Sequence, residues 1–216
     1  TTGVQNTLVG GLAGDALTDA DENVAVGISS LTSDTLGSKS VAVGAGTLFT
    51  QNFTTATNSL NTAVGYHAGN QVTTATHNTL IGALAGDALT TGGSNVAVGY
   101  NSLSTEDGHG GNVAVGTNVL AAQNAGATAY NTAVGHNAGL NVTTATQNTF
   151  VGGLSGDAFT DGAANTALGF ETLTADTKGT NAVAIGHHAL SEQNFTTTTA
   201  SYNVAVGSQA GRNVTT

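Results

Sequence analysis

Six histidines (His67, His77, His109, His136, His187 and His188) and three aspartates (Asp15, Asp87 and Asp157) are the residues of this chain best suited to chemistry. The aspartates recur in the string Gly-Asp-Ala-[Leu/Phe]-Thr. A transition metal would need two or three ligands converging in one layer, and calcium would need about six to eight oxygens. The aspartates lie about 70 residues apart, too sparse for calcium within one chain. His67 and His136 occupy adjacent columns of equivalent units, and the third copy has Ser208-Gln209 there. Only a three-fold axis would gather three copies of one histidine. The aspartates are therefore expected to bind backbone amides in a turn, and the histidines to be polar surface residues.

Other chemistries fare no better. Gly10-Gly11-Leu12-Ala13-Gly14 carries no Lys and opens no helix, so it is not a phosphate loop. There is no Cys, no nucleophile elbow and no pair of carboxylates in apolar surroundings. The expectation is a non-enzyme with no catalytic residue, no cofactor and no metal.

Composition narrows the class further. Charged residues make up 7% of the chain, against roughly 25% in an ordinary domain, so packing falls to small and β-branched side chains. Net charge is −10, and the cations are Lys39, Lys178 and Arg212 alone. Nucleic-acid binding needs clustered cations and is excluded. No run approaches the roughly 18 apolar residues of a membrane span. The chain has neither an initial Met nor a signal peptide. Its terminal Thr pairs match the Thr73-Thr74 and Thr143-Thr144 joints, so a segment of a longer chain is expected.

What must position these residues is a repeat. A pattern typified by Asn-x-Ala-Val-Gly recurs, with substitutions, twelve times, ending at Gly10, Gly27, Gly44, Gly65, Gly82, Gly99, Gly116, Gly135, Gly152, Gly169, Gly186 and Gly207. The intervals are 17 residues, lengthened to 21, 19 and 21 at every fourth step. The chain therefore reads as a single repeat domain over residues 1–216, with super-repeats 1–72, 73–142 and 143–214. The extra residues, at 51–60, 123–130 and 193–202, are expected to be loops on one face.

The columns specify the coil. The residue before each glycine is aliphatic, and two places earlier stands Thr or Val; both suit one face of a strand. Between them lie Leu8, Ala25, Ala42, Ala63, Leu80, Ala97, Ala114, Ala133, Phe150, Ala167, Ala184 and Ala205, on the opposite face because strand side chains alternate. With both faces apolar, both are expected to be buried. One would face the coil interior. The Leu/Ala/Phe column is assigned to a neighbouring chain about an oligomer axis. Four residues before the glycine stands Asn6, Asn23, Asn61, Asn78, Asn95, Asn112, Asn131, Asn148, Asn165 or Asn203, with Ser40 and Ala182 the exceptions. Asparagine suits a turn and can ladder from coil to coil. The glycine is expected at positive φ or in a close-packed bend, followed by a second short strand, as at Leu12-Ala13 or Ser30-Leu31. The fold class is all-β, a parallel β-solenoid of twelve coils; a β-sandwich of regular hairpins is the alternative.

Asn112-Val113-Ala114-Val115-Gly116 and Ala182-Val183-Ala184-Ile185-Gly186 resemble the head repeats of YadA-like trimeric autotransporter adhesins, and the resemblance runs through all twelve units. It implies a left-handed β-roll, three chains about one axis and display on a bacterial surface. The repeats are also similar to those of phage tail fibres and other extracellular fibres. The functional expectation is an adhesive or structural extracellular fibre segment. Its partners would be its own copies and a host-surface or matrix receptor held by the insert loops. A bacteriophage tail-fibre shaft and an ice- or surface-binding protein remain as alternatives.

Overall fold

The computed structural model describes residues 2–216, which form two compact units, one running to Gly110 and the other covering Gly111–Thr216. Each unit is a parallel β-solenoid of six coils, and no helix occurs among the described residues. The first unit carries the strands Thr7–Val9, Val24–Val26, Val41–Val43, Thr62–Val64, Thr79–Ile81 and Val96–Val98. The second carries Val113–Val115, Thr132–Val134, Thr149–Val151, Thr166–Leu168, Val183–Ile185 and Val204–Val206. Within each unit successive strands pair in parallel and in register, so Ala25 lies on Ala42 and Ala133 on Phe150. Short side pairs, Gly37–Ser38 with Thr57–Asn58 and Gly179–Thr180 with Thr199–Ala200, extend two of the coils.

The strands are only three residues long because a backbone bend follows each one. Every glycine of the repeat has φ between +123° and +139°, a region that side chains other than glycine's essentially do not enter. Close approach adds to this. A Cβ on Gly152 would lie 2.2 Å from the carbonyl oxygen of Gly169 in the next coil. The expected second strand after the bend is absent: Leu12-Ala13 and Ser30-Leu31 lie in turns. The residue two places past each glycine takes the left-handed conformation, as at Leu12, Ser29, His67 and Asn137. That conformation breaks a strand ladder.

The interior contains the column assigned above to a partner chain. Ala25, Ala42, Ala63, Leu80, Ala97, Ala114, Ala133, Phe150, Ala167 and Ala184 are fully buried within the single chain, and Ala205 nearly so. Leu8, in the first coil, is exposed. These residues cannot be an oligomer interface, because their own coil encloses them. The physical reason is volume: a narrow coil has room at this position for a methyl group. Where Leu8, Leu80 or Phe150 stands instead, the same coil places Gly14, Gly86 or Gly156 opposite. A Cβ on those glycines would lie 2.8, 2.7 and 2.4 Å from the bulky side chain. Six of the coils with Ala in the strand put Leu31, Leu48, Leu103, Leu120, Leu173 or Leu190 at that opposite position. The other three, those of Ala63, Ala133 and Ala205, have Gly69, Gly139 and Gly211 there, and bulky side chains of adjacent coils such as Leu80, Leu120 and Leu190 fill the space. Bulk is thus shared between a coil and its neighbours so that the interior stays filled, which is what close packing requires.

The asparagines close each corner of the coil. The Oδ1 of Asn6, Asn23, Asn61, Asn78, Asn112, Asn131, Asn148 and Asn165 accepts the backbone N–H one coil on, at 2.8–3.1 Å. The Nδ2 donates to a carbonyl fourteen residues ahead, for example Asn23 to Gly37 at 2.9 Å and Asn148 to Gly162 at 2.9 Å. Asn95 makes the same bond to His109 at 3.2 Å. The column thus links successive coils mainly through side-chain-to-backbone bonds. The left-handed turn residue is the neighbour before the asparagine, such as Glu22, His77 or Gln147. Ala182 still donates its N–H to Asn165 but offers no acceptor onward. Asn203 takes Ser201 Oγ at 3.5 Å instead and donates its amide to Gln193 at 2.7 Å.

Candidate functional site

With the alanines inside, the strand faces turn their flanking columns outward. In the first unit these are Thr7/Val9, Val24/Val26, Val41/Val43, Thr62/Val64, Thr79/Ile81 and Val96/Val98. In the second they are Val113/Val115, Thr132/Val134, Thr149/Val151, Thr166/Leu168, Val183/Ile185 and Val204/Val206. Neither pair of columns contains a charged residue. Each side chain is half-covered by its neighbours above and below or is openly exposed, as are Val9, Leu168 and Val206. Adjacent coils repeat at about 4.8 Å, so each unit presents an ordered array of side chains that are all β-branched except Leu168. Soluble monomers rarely leave so continuous an apolar surface in water.

Beside this face, in the first unit, lies a groove of about 470 Å³ lined by Ile28, Phe49, Thr50, Tyr66, His67 and Asn70, among others. Tyr66 and His67 stack at 4.1 Å. In the second unit Phe170 stacks on His187 at 5.8 Å, and His188 Nδ1 lies 3.1 Å from Glu171. His77 pairs locally with Thr76, and His136 points outward. The structure does not bring His67 and His136 together: they sit in different units, on the turns after their own glycines.

The recurring aspartates lie on the same turns. Thr32 of the next coil donates its hydroxyl to Asp15 at 2.8 Å. Burial pushes the Asp87 carboxyl above its ordinary value, opposed by its own backbone amide and the charge of His67. Asp157 is also raised by burial; the amides of Asp157 and Ala158 and the Thr174 hydroxyl oppose this, while Glu171 adds to it. The Oδ1 atoms of Asp87 and Asp157 are sheltered from water and accept no hydrogen bond. A raised folded pKa means that the group's favourable contribution is complete below the ordinary value of 3.8 and is lost as pH rises through the folded value. Asp87→Asn and Asp157→Asn should therefore raise the melting temperature at pH 7. The gain should disappear toward pH 3, and a pH series of thermal melts checks it.

A second set of acids went unnoticed in the sequence. Asp34 and Asp176 are fully buried. Asp34 Oδ1 accepts the N–H of Gly37 at 3.0 Å and of Phe53 at 3.1 Å, while Oδ2 takes the Gln51 amide at 2.6 Å. Asp176 repeats this with Gly179, Phe195 and Gln193. Gln51 in turn accepts from Asn61 at 2.9 Å. The signal was present: each acid is followed by its glutamine one 17-residue coil later. These networks tie down the insert loops. Gln51, Phe53 and Ser59 are buried, and the longest open runs are Thr54–Ala56, with Gly126–Thr128 and Thr196–Thr198 in the other loops.

Comparison with protein-family models, with curated proteins and with solved structures finds no match to this chain. No helix among the described residues is long and apolar enough to cross a membrane.

Proposed function

We propose that this chain is a structural and adhesive segment of an extracellular fibre, built by packing the outward Thr/Val faces of its own copies together. The observation that carries this reading is the pair of uncharged β-branched columns repeated on every coil. A partner with the same repeat offers a matching spacing, and burial of that face supplies the hydrophobic gain that three-residue strands alone do not. Three copies and a left-handed coil are proposed on the resemblance to YadA-like heads. Display on a cell surface is proposed with them. Receptor contact is assigned to the open tips of the insert loops and to the groove beside Tyr66, where side chains vary between super-repeats while the coil does not.

Sedimentation equilibrium tests the assembly. The wild-type chain should sediment at three chain masses. Val26→Glu combined with Val43→Glu should yield a folded monomer. A wild-type chain that is monomeric at micromolar concentration sinks the proposal. One observation favours a second reading, binding to ice or another ordered solid: Thr7, Thr62 and Thr79 share the outward strand face of the first unit, and Thr132, Thr149 and Thr166 that of the second. Thermal hysteresis of the purified chain would support that reading, and its absence would remove it.

A further inference from the structure

The coil between Val96–Val98 and the end of the first unit departs from its equivalents at three linked positions. The first super-repeat has Asp34-Thr35-Leu36-Gly37 and the third Asp176-Thr177-Lys178-Gly179, whereas the second has Glu106-Asp107-Gly108-His109. The alignment is structural as well as sequential. Asn23, Asn95 and Asn165 donate to the carbonyls of Gly37, His109 and Gly179 respectively.

The departures are coupled by sterics. A Cβ on Gly37 would lie 2.1 Å from Asp34 Oδ2, and one on Gly179 would lie 2.2 Å from Asp176 Oδ2. Aspartate at the first position therefore excludes any side chain at the fourth. Glutamate, one methylene longer, moves the carboxylate and makes room for His109. Glu106 remains fully buried and still accepts the turn's backbone N–H, from His109 at 3.2 Å. The remaining change, Thr to Asp107, adds a second carboxylate at the solvent edge.

The three side chains converge. One ligand atom from each of Glu106, Asp107 and His109 lies within 4.8 Å of the others. His109 Nδ1 is shielded from water, accepts no hydrogen bond and lies 3.4 Å from Glu106 Oε1. That separation matches the edge of a tetrahedron drawn from metal–ligand distances of about 2.0–2.1 Å, which is about 3.3–3.4 Å. We infer that Glu106, Asp107 and His109 form a divalent-metal site of the zinc type, with a water in the fourth position. An imidazole donor with only two carboxylates favours zinc over calcium or magnesium, which prefer a fuller set of oxygens. The metal would pin a buried acid of the coil to its surface turn, a link the other two super-repeats lack.

Calorimetric titration of the chelator-stripped, tag-free full chain with zinc chloride tests this. One zinc per chain should bind at this site, and magnesium or calcium at the same concentration should not displace it. The double variant Asp107→Thr/His109→Gly restores the residues of the equivalent coils, so it should melt like wild type without zinc. It should also lose that equivalent or bind it at least about tenfold more weakly. Asp107→Asn alters only an exposed group and should weaken binding with the fold intact. Absence of zinc binding by the wild type, or unchanged affinity in either variant, overturns the inference. Unchanged affinity would assign any zinc bound to another group, such as the His187–His188 pair.

Discussion

Ala133→Asp is expected to unfold the coils around it, while Val134→Asp, one residue further on, leaves them folded. Ala133 is fully buried against Ala114 and Phe150 of the adjacent coils. An aspartate there must overfill a close-packed layer and bury a carboxyl group with no partner. The first costs about 1–3 kcal/mol and the second several more, so the total is about 4 kcal/mol or greater. Val134 is half-exposed on the outward face of the single chain, and its replacement costs the coil itself about 1 kcal/mol through strand propensity, the remaining loss falling on assembly between copies. Solenoid stability is a sum over neighbouring units, so the damage from Ala133→Asp should be local. Proteolysis should nick the second unit first. Denaturant unfolding with mapping of the cleavage sites checks both variants. Equal stability in the two would mean that the column facing inward has been misassigned.

Gly152→Ala is expected to be nearly as damaging, though it adds one methyl group. Its φ of +135° excludes alanine on backbone grounds, and the new Cβ would stand 2.2 Å from the Gly169 oxygen and 2.5 Å from its carbonyl carbon. Backbone atoms of the next coil cannot move aside without breaking the parallel pairing of Thr149–Val151 with Thr166–Leu168. A cost of about 3 kcal/mol or more follows from conformational strain and overpacking together. Gly126 is the matched control. It lies in an insert loop, and a Cβ there would meet nothing within 4 Å. Gly126→Ala should be neutral, or stabilising by up to about 1 kcal/mol through loss of unfolded-state freedom. Thermal melts of the two variants against wild type decide the matter.

Much of the solenoid was legible because glycine spacing reports coil length directly: a bend that only glycine can make must recur once per coil. The asparagine column was legible for a similar reason, since an amide can both accept from and donate to backbone at a corner. The direction of the strand faces was not. Both columns are apolar, so alternation alone cannot say which turns inward, and a repeat with two apolar faces invites a partner on either. The deciding signal was pairwise. Leu8, Leu80 and Phe150 occur only in coils whose later turn carries Gly14, Gly86 and Gly156, and leucine stands at that turn only where the strand has Ala; residues that shared no interior would need no such exclusion. The turns after the bends were misread as strands because leucine is not a usual left-handed residue. Here Leu31, Leu48 and Leu103 are held at φ near +50° by the core contacts of their side chains.

The buried acids were missed for a different reason. A repeat column containing Asp34, Glu106 and Asp176 looks like surface polarity until Gln51, Gln123 and Gln193 are seen to stand one coil beyond. Weight given to Asp15, Asp87 and Asp157 for recurring in an identical string fell on turn residues, one of them exposed and two only partly covered.

The central claim is that copies of this chain meet through the outward Thr/Val face. The chain has no cysteine, so single-cysteine variants can be cross-linked without background. Under mild oxidation and native conditions, Val134→Cys should form a disulfide-linked dimer on a non-reducing gel, and Ala133→Cys should remain a single chain. Cross-linking of Ala133→Cys with none at Val134→Cys, or of neither variant, would contradict the account.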